Sequence, residues 1–238
     1  PDMDHETLTP LRTRTTYLPF SPPSIGEGEV EAAAEALRSD WITTGPRAAE
    51  FERRFAAFVG ADDAAALNSC TAGLHLALVL LGVGRGDAVV TTPMTFAGTV
   101  NVIEHVGATP LLADVSPDTL NLDPGSVRAA LARARAAGLR VRALIAVHYA
   151  GHPCDLDALD ALAEEHGLHV IEDAAHALPA AWRGRSVGAA RGRVLTSFSF
   201  YANKNLTTGE GGMLTGPADL VERARVLRNS GISRDPWR

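Results

Sequence analysis

From residue 64 onward the chain alternates short apolar runs with longer segments of helical period, and this alternation restricts the fold more than any other feature of the sequence. The apolar runs are "AAAL", "DAVVTT", "TPLLADV", "VRALIAVHY" and "LHVIED", and helical stretches occupy 71–82, 96–106, 124–137 and 155–166 between them. A helix is the connection that carries a chain back to start a parallel neighbouring strand. The pattern therefore predicts a doubly wound α/β structure, a mostly parallel central sheet flanked by helices. "VLTSFSF" and "GGMLTG" predict two more strands, and "PADLVERARVLRNSG" a closing helix. Upstream, "SIGEGEVEAAAEALRS" (24–39) predicts a helix with a Ser24–Glu27 capping box and a stripe of Val30, Ala33, Ala34 and Leu37. "WITTGPRAAEFERRFAAFVG" breaks at Gly45 and Pro46 and restarts as a helix that buries Phe51, Phe55 and Phe58. No repeat or low-complexity linker intervenes. The expected organisation is an extended lead over 1–20 and one large domain over 21–238.

Composition removes several classes of partner. The net charge is −6 and the 22 Lys and Arg residues are dispersed, which argues against nucleic acid and against an anionic membrane surface. No apolar run approaches the roughly 18 residues of a membrane span. The opening "PDMDHETLTPLRTRTTY" has no basic segment followed by an apolar core, so no signal peptide is expected. Cys70 and Cys154 form no CxxC pair and no disulfide framework, which points to a reducing cytoplasm.

In a doubly wound sheet, ligands bind beyond the carboxyl ends of the strands, where loops meet helix N-termini. Five stretches fall there: "NSCTAG", "PMTFAGT", "VHYAGHP", "EDAAHA" and the loop around Lys204. Ser69, Thr71, Ala72 and Gly73 open an apolar helix, a place for a phosphate or for an ordinary N-cap. Glu172 and Asp173 end a buried strand, where a carboxylate is costly without a partner. Such a group could hold a metal, act as a base, pair with a protonated ring nitrogen or cap a helix. Phe96 at a strand-to-helix turn is either core or a plate for a flat ring. Lys204, between "SFSFYAN" and "NLTTGEGG", gains little from packing, and a partly buried lysine loses charge readily and forms Schiff bases. His148, His152, Cys154 and Asp155 crowd "HYAGHPCD", but their spacing fits no common closed zinc site and no metal is expected. "GVGRGD" and "GEGG" are not nucleotide fingerprints, and His75 reads as a core or interface histidine.

A phosphate cradle, a carboxylate for a pyridinium nitrogen, an aromatic plate and a Schiff-base lysine together are what pyridoxal phosphate needs. The ordered motifs "SDWITTGP", "NSCTAGLHLAL", "TFAGTVNVI", "VHYAGHPCDLDAL", "VIEDAAHA", "GRSVGA" and "SFSFYANKNLTTGEGG" resemble the DegT-type sugar-nucleotide aminotransferases of fold type I. The resemblance implies pyridoxal 5'-phosphate as cofactor, with pyridoxamine 5'-phosphate as its aminated form. It implies that Lys204 carries the cofactor and shuttles the proton, that Asp173 pairs with the pyridine nitrogen, and that Thr71, Ala72 and Ser199 hold the phosphate. Phe96 would stack on one face of the ring and Ala175 on the other, with His176 near the cofactor oxygen or the substrate. A homodimer with shared sites is also implied, the "TTGEGG" and "WITTGP" segments lying near its interface.

The chain departs from the family pattern in two respects. Tyr201 stands where many members carry histidine. Members also continue past the equivalent of "RNSGISRDPWR" into a Gly-Tyr-Asn segment and a small C-terminal domain that this sequence lacks, so a truncated, non-catalytic copy is an alternative. In the dehydratase branch histidine replaces the lysine, so Lys204 favours transamination. "LPFSPP" and "SDWITTGP" are most similar to the branch that aminates C4 of a thymidine-diphosphate 4-keto-6-deoxyhexose with glutamate as donor. Amination at C3, or of a cyclitol ketone such as scyllo-inosose, is the alternative.

Overall fold

The computed structural model describes residues 14–233. The leader assessment and most of the expected lead over 1–20 lie outside the described residues. The sheet has seven strands: β1 (Asp63–Leu67), β2 (Asp87–Thr91), β3 (Thr109–Leu112), β4 (Arg140–Val147), β5 (His169–Asp173), β8 (Leu195–Ser199) and β9 (Gly212–Gly216). Its spatial order is β1-β9-β8-β5-β4-β2-β3. All neighbours pair in parallel except β9, which runs antiparallel to both β1 and β8. Two-residue strands β6 (Ala181–Trp182) and β7 (Arg185–Ser186) form a separate small ribbon that the sequence pattern did not reveal.

Side chains of successive strand residues point to opposite faces, and the two faces have separate cores. On one face Val89, Ile145, Ile171, Leu195 and Leu214 pack against α3 (Cys70–Leu80), α4 (Ala97–His105) and α7 (Ala218–Arg228). On the other, Val90, Leu144 and Ala146 pack against α5 (Pro124–Ala136) and α6 (Leu156–His166). Beside them Ala64, Phe198 and Met213 meet α2 (Pro46–Val59).

Two expectations for the N-terminal helices fail. Helix α1 (Glu27–Arg38) is capped by Gly26, whose N–H donates to Glu29 Oε2 at 2.7 Å, not by the Ser24–Glu27 pair. Its apolar stripe buries nothing: Val30 and Leu37 are exposed. In α2 the buried face is Glu52, Phe55, Ala56 and Val59, and Phe58 is 65% exposed. Those four positions centre the contact about 100° round the helix from Phe58. Glu52 is buried there because it accepts from the Ala66 amide and pairs with Arg225 and Arg228.

Candidate active site

The carboxyl ends of β1, β2, β5 and β8 gather the residues singled out in the sequence. Asp173 is the last residue of β5 and only 5% exposed. Its Oδ2 accepts from the Thr99 hydroxyl at 2.7 Å, and its Oδ1 from the Ala175 amide at 3.1 Å and, more weakly, from the Cys70 thiol at 3.6 Å. Every one of these donors is neutral, and among the described residues Asp173 has no ion-pair partner within 4.0 Å. Burial pushes the Cys70 thiol well up, with the Asp173 charge adding to it, so the sulfur stays protonated and able to donate.

Lys204 lies in the connection from β8 to the antiparallel β9, not in a strand-to-helix crossover. The loop is pinned at its base by Phe200 N–H to Gly211 O at 2.8 Å and Thr208 N–H to Phe200 O at 3.0 Å. A turn closed by Lys204 N–H to Tyr201 O at 2.9 Å presents the lysine. Lys204 is partly buried, forms no ion pair among the described residues, and is the only lysine in the chain. Burial lowers its pKa, opposed by Cys70 and the Asp173 carboxylate, which are near enough to act on it. Part of the population can therefore exist as the uncharged amine that nucleophilic chemistry requires.

Two glycines let the first turn of α3 rest on this hairpin. A Cβ at Gly212 would lie 2.4 Å from the Ser69 carbonyl carbon, and one at Gly73 would lie 2.1 Å from Ser197 Oγ. The approach is sealed by Ser197 Oγ–H to Cys70 O at 2.9 Å. Ser69 is the N-cap, its Oγ accepting from Ala72 N–H at 3.1 Å, so the capping alternative is realised and the Ala72 amide is already engaged. Thr71 remains with its Oγ1 2.9 Å from where a Cβ on Gly98 would lie, beside the Phe96 ring. Phe96 is 79% exposed, which excludes the core alternative for this aromatic. Ser199 ends β8, its Oγ accepting from Tyr201 N–H at 3.3 Å. Ala175 is half-buried against the core behind Asp173, and His176 beside it is exposed. Burial and the nearby Lys204 lower the pKa of His176 and favour its neutral form.

The histidines and cysteine of "HYAGHPCD" have structural partners instead. His148 is buried, with Nδ1 accepting from Cys154 N–H at 3.1 Å, so the ring proton sits on Nε2, 3.1 Å from Glu172 Oε2. Cys154 Sγ donates to Val147 O at 3.1 Å, and Asp155 caps α6 through Ala158 N–H at 3.1 Å. Sequence reading missed Thr99 and Cys70, the two side chains on Asp173. A threonine three residues after Phe96 and a cysteine two residues after Asn68 carry no signal until the sheet brings α3 and α4 to the end of β5.

The donor set suits pyridoxal phosphate: an amine with lowered pKa, a buried carboxylate lacking a cation, hydroxyls at a helix start and an uncovered aromatic ring. A mostly parallel sheet of this order with such a lysine and aspartate defines the fold type I aminotransferase large domain. The chain belongs to the DegT/DnrJ/EryC1/StrS aminotransferase family, whose sequence pattern matches residues 23–238. The family depends on pyridoxal phosphate. Over 228 residues the chain is 47% identical to the spore coat polysaccharide biosynthesis protein SpsC of Bacillus subtilis, covering 95% of this chain and 57% of that protein. Among solved structures it is similar to DesV of S. venezuelae in complex with a ketimine intermediate, with TM-score 0.81, 42% identity, and 88% of this chain and 55% of that chain covered. It is also similar to DesI in the presence of its TDP-sugar product, with TM-score 0.80, 39% identity, and 90% and 53% covered. The chain thus spans little more than half the length of each of these proteins.

Proposed function

We propose that this chain forms the large, cofactor-binding domain of a pyridoxal-phosphate-dependent aminotransferase. The enzyme transfers an amino group from glutamate to C4 of a thymidine-diphosphate-linked 4-keto-6-deoxyhexose, in the cytoplasm, as a homodimer with composite sites. The observation that carries this reading is one pair of groups. Among the described residues Lys204 has no counter-ion and its ammonium is disfavoured by burial, while Asp173 is a buried carboxylate with no cation of its own.

When bound, pyridoxal phosphate supplies an electron sink for negative charge on the carbon that loses its proton. Asp173 holds the ring nitrogen protonated by offering it a carboxylate. Lys204 Nζ would hold the cofactor and move the proton at the donor's α-carbon, a task that its lowered pKa favours. The Thr71 and Ser199 hydroxyls and the first turn of α3 at Ala72 hold the phosphate. Phe96 covers one face of the ring and Ala175 the other, and neutral His176 contacts the cofactor oxygen or the substrate.

The sugar assignment is supported by the "SDWITTGP" likeness and by the TDP-sugar product of DesI. The test is amination by the purified protein of matched keto sugars with glutamate as donor. A 4-keto-6-deoxy thymidine-diphosphate sugar is expected to give the 4-amino sugar. Amination of scyllo-inosose or a 3-keto sugar with the 4-keto compound ignored contradicts the C4 assignment.

A further inference from the structure

Thr99, on the buried side of α4 and 1% exposed, donates its only hydroxyl proton to Asp173 Oδ2 at 2.7 Å. A hydroxyl has a single proton. Thr99 Oγ1 must therefore act as acceptor toward Thr95 Oγ1, 2.8 Å away, and Thr95 must be the donor. The direction of the chain is fixed: Thr95 to Thr99 to Asp173. It begins at a half-buried position in the loop after β2, one residue from Phe96, and ends on the carboxylate. Ala175 N–H holds the other oxygen, and the single Cys70 thiol proton beside it is shared between that oxygen at 3.6 Å and the Ser197 carbonyl at 3.4 Å. With one donor on Oδ2, the carboxylate has acceptor capacity left on that oxygen among the described residues.

We propose that Thr99, oriented by Thr95, is the positioning residue that fixes the plane of the Asp173 carboxylate against the ring nitrogen of the cofactor. The proposal rests on the functional reading above. Hydrogen bonds in series polarise one another, so the Thr95 hydroxyl strengthens the bond that Thr99 gives. Because Thr95 adjoins Phe96, the same loop that bears the aromatic plate also sets the carboxylate.

The test compares Thr99→Val, Thr99→Ser and Thr95→Val with the unaltered chain. Two measurements are made on each: the cofactor-free crystal structure, and titration with pyridoxal phosphate labelled with 15N in the ring. In Thr99→Val, which keeps the shape and loses the hydroxyl, the Asp173 carboxylate is expected to rotate away from its present plane. The ring 15N signal should move toward the unprotonated position, and cofactor affinity should fall about tenfold, the size of one hydrogen bond to a charged group. Thr99→Ser should restore all three, and Thr95→Val should show the same changes in smaller measure. If Thr99→Val does not fold, Thr95→Val decides by the same two measurements. An unmoved Asp173 and an unmoved ring signal in the valine variants overturn the proposal. If the unaltered chain takes up no cofactor, the functional reading falls, and the position of Asp173 in the cofactor-free structures alone decides this one.

Discussion

Glu172 and Asp173 are consecutive carboxylates at the tip of one strand, both buried, and they face opposite sides of the sheet. Glu172 lies in an ion cluster. Arg191 pairs with it and with Asp160, His148 meets its Oε2 at 3.1 Å, and the Thr196 hydroxyl stands at 3.4 Å. Burial alone would raise the Glu172 carboxyl, but His148 and Arg191 hold it below its ordinary value. Among the described residues Asp173 has only hydroxyl, thiol and amide donors. A buried carboxylate is stable when its charge is compensated within the fold. Glu172 is compensated and its role ends with the fold. Asp173 is solvated by dipoles and left one cation short, which is the electrostatic form of a binding site.

The comparison is broken or sharpened by making the same change at both positions. Asp173→Asn is expected to leave the fold intact and lower turnover on the order of 10²–10³-fold, the loss seen when one preorganised electrostatic group is removed. Glu172→Gln is expected to do the reverse. It should lower the unfolding free energy by roughly 3 kcal/mol, because Arg191 loses its buried partner and keeps only the partly exposed Asp160, while cofactor affinity stays within a small factor. Denaturant titration beside steady-state assay of both variants reads the contrast. Equal stability losses at the two positions would remove the distinction.

A smaller effect concerns Lys204. Its pKa is lowered in the fold, so folding opposes its charge. The sign follows from linkage: below the folded pKa the lysine is charged in both folded and unfolded states and the full cost is present. That cost disappears as pH rises from the folded pKa toward the unfolded value near 10.5. The cofactor-free Lys204→Met chain is therefore expected to be more stable than the parent at neutral pH, with the gap closing as the solution is made alkaline. Denaturation midpoints at a series of pH values check this, and a gap that widens with pH would contradict it.

Much of this was legible in the sequence. The seven sheet strands and the helices from residue 70 onward fall within about three residues of the apolar runs and helical periods, because buried strands of a parallel sheet read as continuous hydrophobic segments. The reversed direction of β9 was not visible, since a strand's pattern carries no sign. The antiparallel pairing of β8 with β9 and the tie of Phe200 to Gly211 show that residues 200–211 form a hairpin and not a crossover. The Ser24–Glu27 pattern lies two residues before the realised cap because Ser-x-x-Glu fits there as well, while the actual N-cap is Gly26 with Glu29 at the third helical position. Spacing alone places Phe58 inward, whereas the buried face of α2 carries the Glu52 cluster with Arg225 and Arg228. At the site, Lys204 and Asp173 were legible as chemistry out of place. Their support was not, because Thr99 and Cys70 reach Asp173 over 74 and 103 residues of sequence. A stronger signal for Lys204 was also present, namely that the chain has no other lysine.

That singularity makes the most direct test simple. The chain is incubated with pyridoxal phosphate, reduced with borohydride, digested and mapped by mass spectrometry. The account predicts one cofactor adduct per chain, on Lys204 in the peptide spanning residues 197–212, absent from Lys204→Ala and sharply reduced in Asp173→Asn. An adduct at the N-terminal amine with Lys204 unlabelled, or full labelling of Lys204 in Asp173→Asn, would contradict it.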